Sequence, residues 1–367
     1  MNKTVTKITL FANFVPLISL LGFSCTATLA SKIGINYGRL GNNLPSPYQS
    51  VELIKSMNAG GVKLYDVDPE ILKLLSGTNL LVSVMVPNHE ISLLASSQTK
   101  AEEWIKNNIL PFYPQTMIQF LLVGNEVLSY FSDQDRKNWF DLVPAMNNLR
   151  TSLETLNITN VKIGTPLAME VLQSTFPPSS AEFRSNVSYS VILPILQFLN
   201  TTRSFFFIDV YPYFPWSQNP NDISLDFALL KEQGNPKFVD PGTGLVYTNL
   251  LDQMLDALVF AMAKLGFPQI PLFISETGWP TAAGDGEQIG ANIANAATYN
   301  RNLIKKFTAE PSIGTPARPG IFIPTFIFSL FDENQKTGPE VERHWGVLRA
   351  DGTAAYKIDL TGNSDWP

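Results

Sequence analysis

The sequence predicts an α/β protein folded as a single (β/α)8 TIM barrel. Short apolar runs of strand-forming residues alternate with helical patterns along nearly the whole chain, eight times over. Polar and aromatic residues cluster directly after these runs, on the side where a barrel keeps its chemistry. No glycine-rich dinucleotide or phosphate loop follows the first run, which speaks against the open doubly wound alternative.

The first strand is expected over 32–38, ending in polar and aromatic residues. Ser46 and Pro47 form a helix cap and first turn, and Val51, Ile54 and Met57 or Asn58 continue at helical spacing. The second strand, 62–65, is followed by a short helix over 69–75. An apolar run at 80–86, closed by Pro87, is the third strand, and 92–108 carries a helix. Strand four occupies 118–123 and gives way to Gly124, Asn125 and Glu126. A longer helix over 133–156 contains Pro144, a candidate kink. Strand five is 161–165, a helix over 189–199 follows despite Pro194, and strand six is 205–210. The pattern at 249–265 is an amphipathic helix, strand seven runs from 272 to Glu276, 289–307 is helical, and 324–330 is strand eight. No Ser- or Pro-rich linker interrupts the series, so a single domain over 31–367 is expected.

Composition narrows the function. The chain has 367 residues, 45% hydrophobic and 16% charged, enough for a sizeable core. Its 26 basic against 32 acidic residues argue against a nucleic-acid partner. Residues 1–30 resemble a secretory signal: Lys3 and Lys7, a mostly apolar stretch over 8–23, and a small-x-small site at Thr28-Leu29-Ala30. Cleavage there would remove Cys25, the only cysteine, and leave no membrane span, disulfide or thiol chemistry. Three sequons, at Asn157, Asn186 and Asn200, are candidate glycosylation sites on a secreted chain. The polar C-terminus, DLTGNSDWP, argues against a lipid-anchor signal. A secreted, extracellular monomer of the cell wall or apoplast is the expectation.

The chemistry follows by elimination. Only two histidines are present, His89 and His344, so a Ser-His-Asp triad or a His-rich metal site has little material. Carboxylates remain. Two buried strands, IQFLLVGNE and LFISETGWP, each end in a glutamate, Glu126 and Glu276. A buried carboxylate is costly unless it is paired or used. Glycoside hydrolysis needs two such groups, one to protonate the leaving oxygen and one to attack or to activate water. Tyr37, Tyr65, Asn125, Tyr211, Phe214, Trp279 and Glu333 fall at or just beyond strand ends, as would suit a polar, aromatic-lined cleft. Glu333 and Lys336 could equally be an exposed ion pair.

The segments IGINYG (33–38), VKLYD (62–66), VGNEVL (123–128), DVYPYFPW (209–216), ISETGWP (274–280) and FDENQKTGPEVERHWGVL (331–348) together resemble the plant endo-β-1,3-glucanases of glycoside hydrolase family 17. The resemblance implies a (β/α)8 barrel, retaining hydrolysis of β-1,3-glucan, and no metal or other cofactor. It implies Glu126 as acid/base and Glu276 as nucleophile, with Glu333 and Lys336 lining the site. One departure stands out: Asp209 occupies a position where relatives commonly carry Asn, and an extra carboxylate reaching the site would alter its proton affinities. Alternatives are a related β-glucan hydrolase or transglycosylase of different linkage preference, and a glucan-binding protein that does not hydrolyse.

Overall fold

The structure is a computed structural model that describes residues 33–231, 237–284 and 289–363. The expected secretory signal lies outside the described residues. Nine parallel strand segments form one sheet: β1 (Gly34–Asn36), β2 (Gly61–Lys63), β3 (Leu81–Val86), β4 (Ile118–Val123), β5 (Lys162–Gly164), β6 (Leu167–Ala168), β7 (Phe206–Asp209), β8 (Leu272–Thr277) and β9 (Thr325–Ile327). Their order is 5-4-3-2-1-9-8-7-6. Its two ends, β5 and β6, are separated in the chain only by Thr165 and Pro166. They are two pieces of one barrel strand, broken where Pro166 has no N–H to give the ladder. The sheet therefore closes on itself, and the count returns to eight.

Helices cross over between successive strands. α1 (Pro47–Ser56) starts at a capping box in which Ser46 and Gln49 satisfy each other's end groups. α2 (Pro69–Leu74) is capped by Asp68. The helix expected over 92–108 is two, α3 (Ile91–Ser96) and α4 (Gln98–Asn108), because Ser97 is extended and its side chain caps the second. α5 (Asp133–Thr155) carries Pro144 inside it without ending there. The helix expected at 189–199 opens as a wide turn over Ser188–Ile192 and becomes α-helical only in α6 (Leu193–Thr202), with Pro194 in its first turn. α7 (Leu250–Lys264) and α8 (Ile293–Phe307) precede β8 and β9. The chain then returns beneath the barrel, where the Ile33 N–H donates to the Leu360 carbonyl at 2.9 Å.

Two cores result. Leu81, Met85, Phe120, Leu122, Phe207, Phe273 and Phe326 fill the barrel interior. The outward-facing strand residues, such as Leu272 and Ile274, pack against the helices. The strands are too crowded inside for side chains everywhere: a Cβ on Gly164 would lie 2.3 Å from the Phe207 ring. This plug of Phe rings closes the barrel, so polar groups collect above it, at the C-terminal ends of the strands.

Candidate active site

Above the plug lies a cleft of about 1040 Å³, with Glu126 and Glu276 in its walls. Glu276 comes from β8. Strict alternation would send it outward, since Phe273 faces in and Ile274 out. The register against β7 slips between Ile274 and Glu276. That bulge turns Ser275 and Glu276 inward together, while the Thr277 hydroxyl meets that of Tyr299 on α8 at 2.6 Å.

Three donors hold the Glu276 carboxylate. Lys63 Nζ and the Tyr65 hydroxyl each donate to Oε1 at 2.6 Å. The Tyr211 hydroxyl donates to Oε2 at 2.7 Å. Burial would push its proton affinity up, but the Lys63 charge and these three hydrogen bonds outweigh burial and hold Glu276 below the ordinary carboxylate range. Asn36 supports the set, its Nδ2 donating to the Tyr65 hydroxyl at 3.1 Å and to the Ser275 carbonyl at 3.0 Å.

Glu126 reaches the cleft differently. Gly124 turns the chain out of β4 at φ +70°, and Glu126 itself is left-handed at φ 48°. A non-glycine residue there is held by its surroundings at a cost of about 1–3 kcal/mol. Here its N–H donates to the Pro166 carbonyl at 3.0 Å. Asn88 clamps the neighbouring Asn125 by accepting from its N–H at 2.7 Å and donating to its carbonyl at 3.1 Å. Burial, then the Glu276 charge, raise the Glu126 carboxyl to about 7. The cleft thus contains two carboxyl groups whose surroundings push them in opposite directions.

The remaining predicted residues separate into two groups. Tyr37, Tyr65, Asn125, Tyr211, Phe214, Glu333 and Lys336 all line the cleft. Asn125 Oδ1 accepts from Lys63 at 3.5 Å. Glu333 is buried, with Oε1 accepting from the Leu40 N–H at 2.7 Å. Gly38 makes room for it, since a Cβ there would lie 2.5 Å from both carboxylate oxygens. Lys336 does not form an exposed pair with Glu333: its ammonium lies over the Phe328 ring at 4.2 Å and 3.7 Å from Glu342. Trp279 must be corrected. Its ring is fully buried behind the cleft wall, packed with Tyr213, Trp216 and Tyr299, and its indole N–H donates to the Gly290 carbonyl at 2.9 Å. It supports the wall and presents no face to a ligand. Among the described residues no cluster of His, Cys, Asp or Glu is arranged to hold a metal ion.

Residues 33–360 match the model of the glycosyl hydrolases family 17. The chain belongs to this family. It is 61% identical over 336 residues to a probable glucan endo-1,3-beta-glucosidase A6 of Arabidopsis thaliana, covering 92% of this chain and 69% of the relative. Glucan endo-1,3-beta-glucosidase 13 of the same plant is 37% identical over 350 residues, 95% of this chain and 67% of the relative. Among solved structures, CJP38, a β-1,3-glucanase and allergen of Cryptomeria japonica pollen, superposes with a TM-score of 0.83 at 42% identity, covering 90% of this chain and 99% of that one. A plant β-glucan endohydrolase, one of two described as having distinct substrate specificities, superposes at 0.79 with 33% identity, covering 89% and 100%.

In this family 17 chain, the sequence reading missed the cation that holds Glu276. Lys63 is 1% exposed and ends β2. Its signal was present: a lysine inside the apolar run Val62–Leu64 needs a buried partner. Trp345, against Tyr211 at 4.9 Å between ring centres, and Tyr130, half exposed on the rim, also line the cleft. Both lie beyond strand ends, in loops with no periodicity to mark which side they face.

Proposed function

We propose that this chain hydrolyses internal linkages of β-1,3-glucan with retention of configuration, Glu276 acting as nucleophile and Glu126 as general acid and then base. One observation carries the reading: a carboxylate held ionised by three donors shares a cleft with a carboxyl raised to about 7. Divergent proton affinities in a carboxyl pair mark the acid and the nucleophile. Glu276 attacks the anomeric carbon as Glu126 protonates the departing oxygen. The resulting glycosyl ester has no charge. The Glu276 charge that added to burial in raising Glu126 is then gone, its proton affinity falls, and it can take a proton from water. The cleft of about 1040 Å³, lined by Tyr37, Tyr130 and Phe214, has room for more than a single terminal sugar and supports an extended chain.

Early product sizes from laminarin and from mixed-linkage glucan test this. Mixed oligosaccharides from laminarin are expected in the first minutes. Glucose alone would contradict endo action, preference for the mixed-linkage polymer would point to another linkage, and products longer than the substrate would point to sugar as acceptor in place of water.

The pH dependence has a definite sign. Glu126 must hold its proton, so kcat/KM is expected to fall as pH rises through about 7. The acidic limb, where Glu276 gains a proton, should lie below the ordinary carboxylate range. A profile flat from pH 5 to pH 9 would remove Glu126 from the acid role.

We further propose one catalytic domain over 31–367, released as a secreted monomer to the cell wall or apoplast after cleavage following Ala30. Asn157, Asn186 and Asn200 are all exposed, as glycan acceptors must be. Among the described residues no helix is long and apolar enough to cross a membrane. Expression in a eukaryotic secretory host should give a glycosylated protein beginning at Ser31, and a secreted product still beginning at Met1 would refute the cleavage.

A further inference from the structure

Asp209 is the last residue of β7 and stands opposite Glu276 in the register. Its side chain is fully buried, on the floor of the cleft. The Ser275 hydroxyl donates to its Oδ1 at 2.5 Å. Its Oδ2 is buried and has no hydrogen-bond partner among the described residues. Lys63 Nζ lies 4.0 Å from Asp209 but 2.6 Å from Glu276.

The groups facing Asp209 leave it no counter-charge of its own. Lys63 arrives from β2, with Tyr65 just after it. Glu126 stands beyond β4, and Tyr211 two residues along its own strand exit. Ser275 and Glu276 come from β8. With Asp209 itself, this set contains three carboxyl groups and a single cation. Both phenols already donate to Glu276. A charge on Asp209 would be buried with its nearest cation 4.0 Å away and would compete with Glu276 for that one ammonium.

We propose that Asp209 is a positioning residue that carries a proton in the working enzyme, anchoring Ser275 while leaving the Lys63 charge to Glu276 alone. As a neutral acid it accepts from Ser275 through its carbonyl oxygen. That hydrogen bond pins the bulge that aims Glu276 into the cleft. Burial first, and then the Glu276 charge, push the Asp209 carboxyl well above its ordinary range, against the pull of Lys63 and Ser275. The site thus has a third carboxyl that adds shape and no charge.

The test uses Asp209→Asn, which keeps the shape of the neutral acid but cannot ionise, with Asp209→Ser in its place should the first variant not fold. The kinetic arm rests on the roles proposed for Glu126 and Glu276, and reads where the two limbs of kcat/KM fall, whatever the height of the curve. With a neutral Asp209, both limbs stay at their wild-type pH. An ionised Asp209 predicts that removing its charge moves both limbs to lower pH, with roughly tenfold more activity on the acidic limb and tenfold less on the alkaline one. The melting arm needs neither glutamate. Wild type must keep a proton that its unfolded chain releases, so its stability falls relative to the variant as pH rises above the ordinary carboxylate range. The variant's advantage in Tm should therefore widen with rising pH. Limbs displaced to lower pH, or an advantage that narrows with rising pH, would overturn the proposal. If wild type shows no two-limbed profile, the assigned glutamate roles fail while the melting arm still reports on Asp209.

Discussion

Glu276→Ala is expected to lose turnover on every β-glucan by about 10⁶-fold, the scale of removing a covalent nucleophile. Two other buried carboxyl groups of the cleft are engaged elsewhere. Asp209 is fully buried and accepts from the Ser275 hydroxyl, and Glu333 is committed to the Leu40 N–H. Glu126→Ala should fail differently. Proton transfer is usually worth about 10²–10⁴-fold, and a substrate with a very acidic leaving group needs little of it. The first step then survives, and deglycosylation stalls because no base activates water. Added azide needs no base. In Glu126→Ala it attacks the glycosyl enzyme and gives a β-glycosyl azide by two displacements. In Glu276→Ala it enters once, from the opposite face, and gives the α anomer. Nuclear magnetic resonance of the two adducts decides the assignment: the reverse pairing would exchange the roles of Glu126 and Glu276, and inverted sugar from wild type would end the retaining mechanism.

Both glutamates were legible because each terminates an apolar run, and a charge at such a place demands an explanation. The barrel was legible for a related reason: strands buried on both faces read as continuous hydrophobic runs. What the sequence did not show is direction. Period-two alternation in β8 places Glu276 outward, and only the register slip after Ile274 brings it in. Trp279 was misplaced by the same blindness, since its position after the strand says nothing of which side of the wall its ring occupies. The break of strand five at Pro166 is visible as a proline, yet its outcome, one barrel strand in two pieces, depends on pairing with β4 on one side and β7 on the other. Lys63 was overlooked because an isolated lysine in a strand reads as an edge residue until its partner, 213 positions away, is known.

Lys63→Met should be the most damaging change outside the two glutamates. Its ammonium is buried, 2.6 Å from Glu276 Oε1, and leads the interactions that keep Glu276 ionised against burial. Met fills similar volume without charge. Burial then goes unopposed by the cation, the proton affinity of Glu276 rises, and the acidic limb of kcat/KM moves to higher pH. Activity at pH 5 is expected to fall about 10²–10³-fold, comparable to removing one preorganised electrostatic contact. Stability should change with a sign of its own. In wild type, Glu276 has a depressed proton affinity, so its contribution is present above the ordinary carboxylate range and lost as pH falls through the folded value. In the variant the same carboxyl favours its proton, and stability is lost as pH rises instead. The variant should therefore approach wild type near pH 3 and lose about 3–5 kcal/mol to it at neutral pH, the cost of breaking one side of a buried pair. Thermal melts across that range, with kcat/KM profiles beside them, make the check. An unmoved acidic limb, or a Tm deficit equal at every pH, would mean that Lys63 only fills space beneath the cleft and does not hold the charge of Glu276.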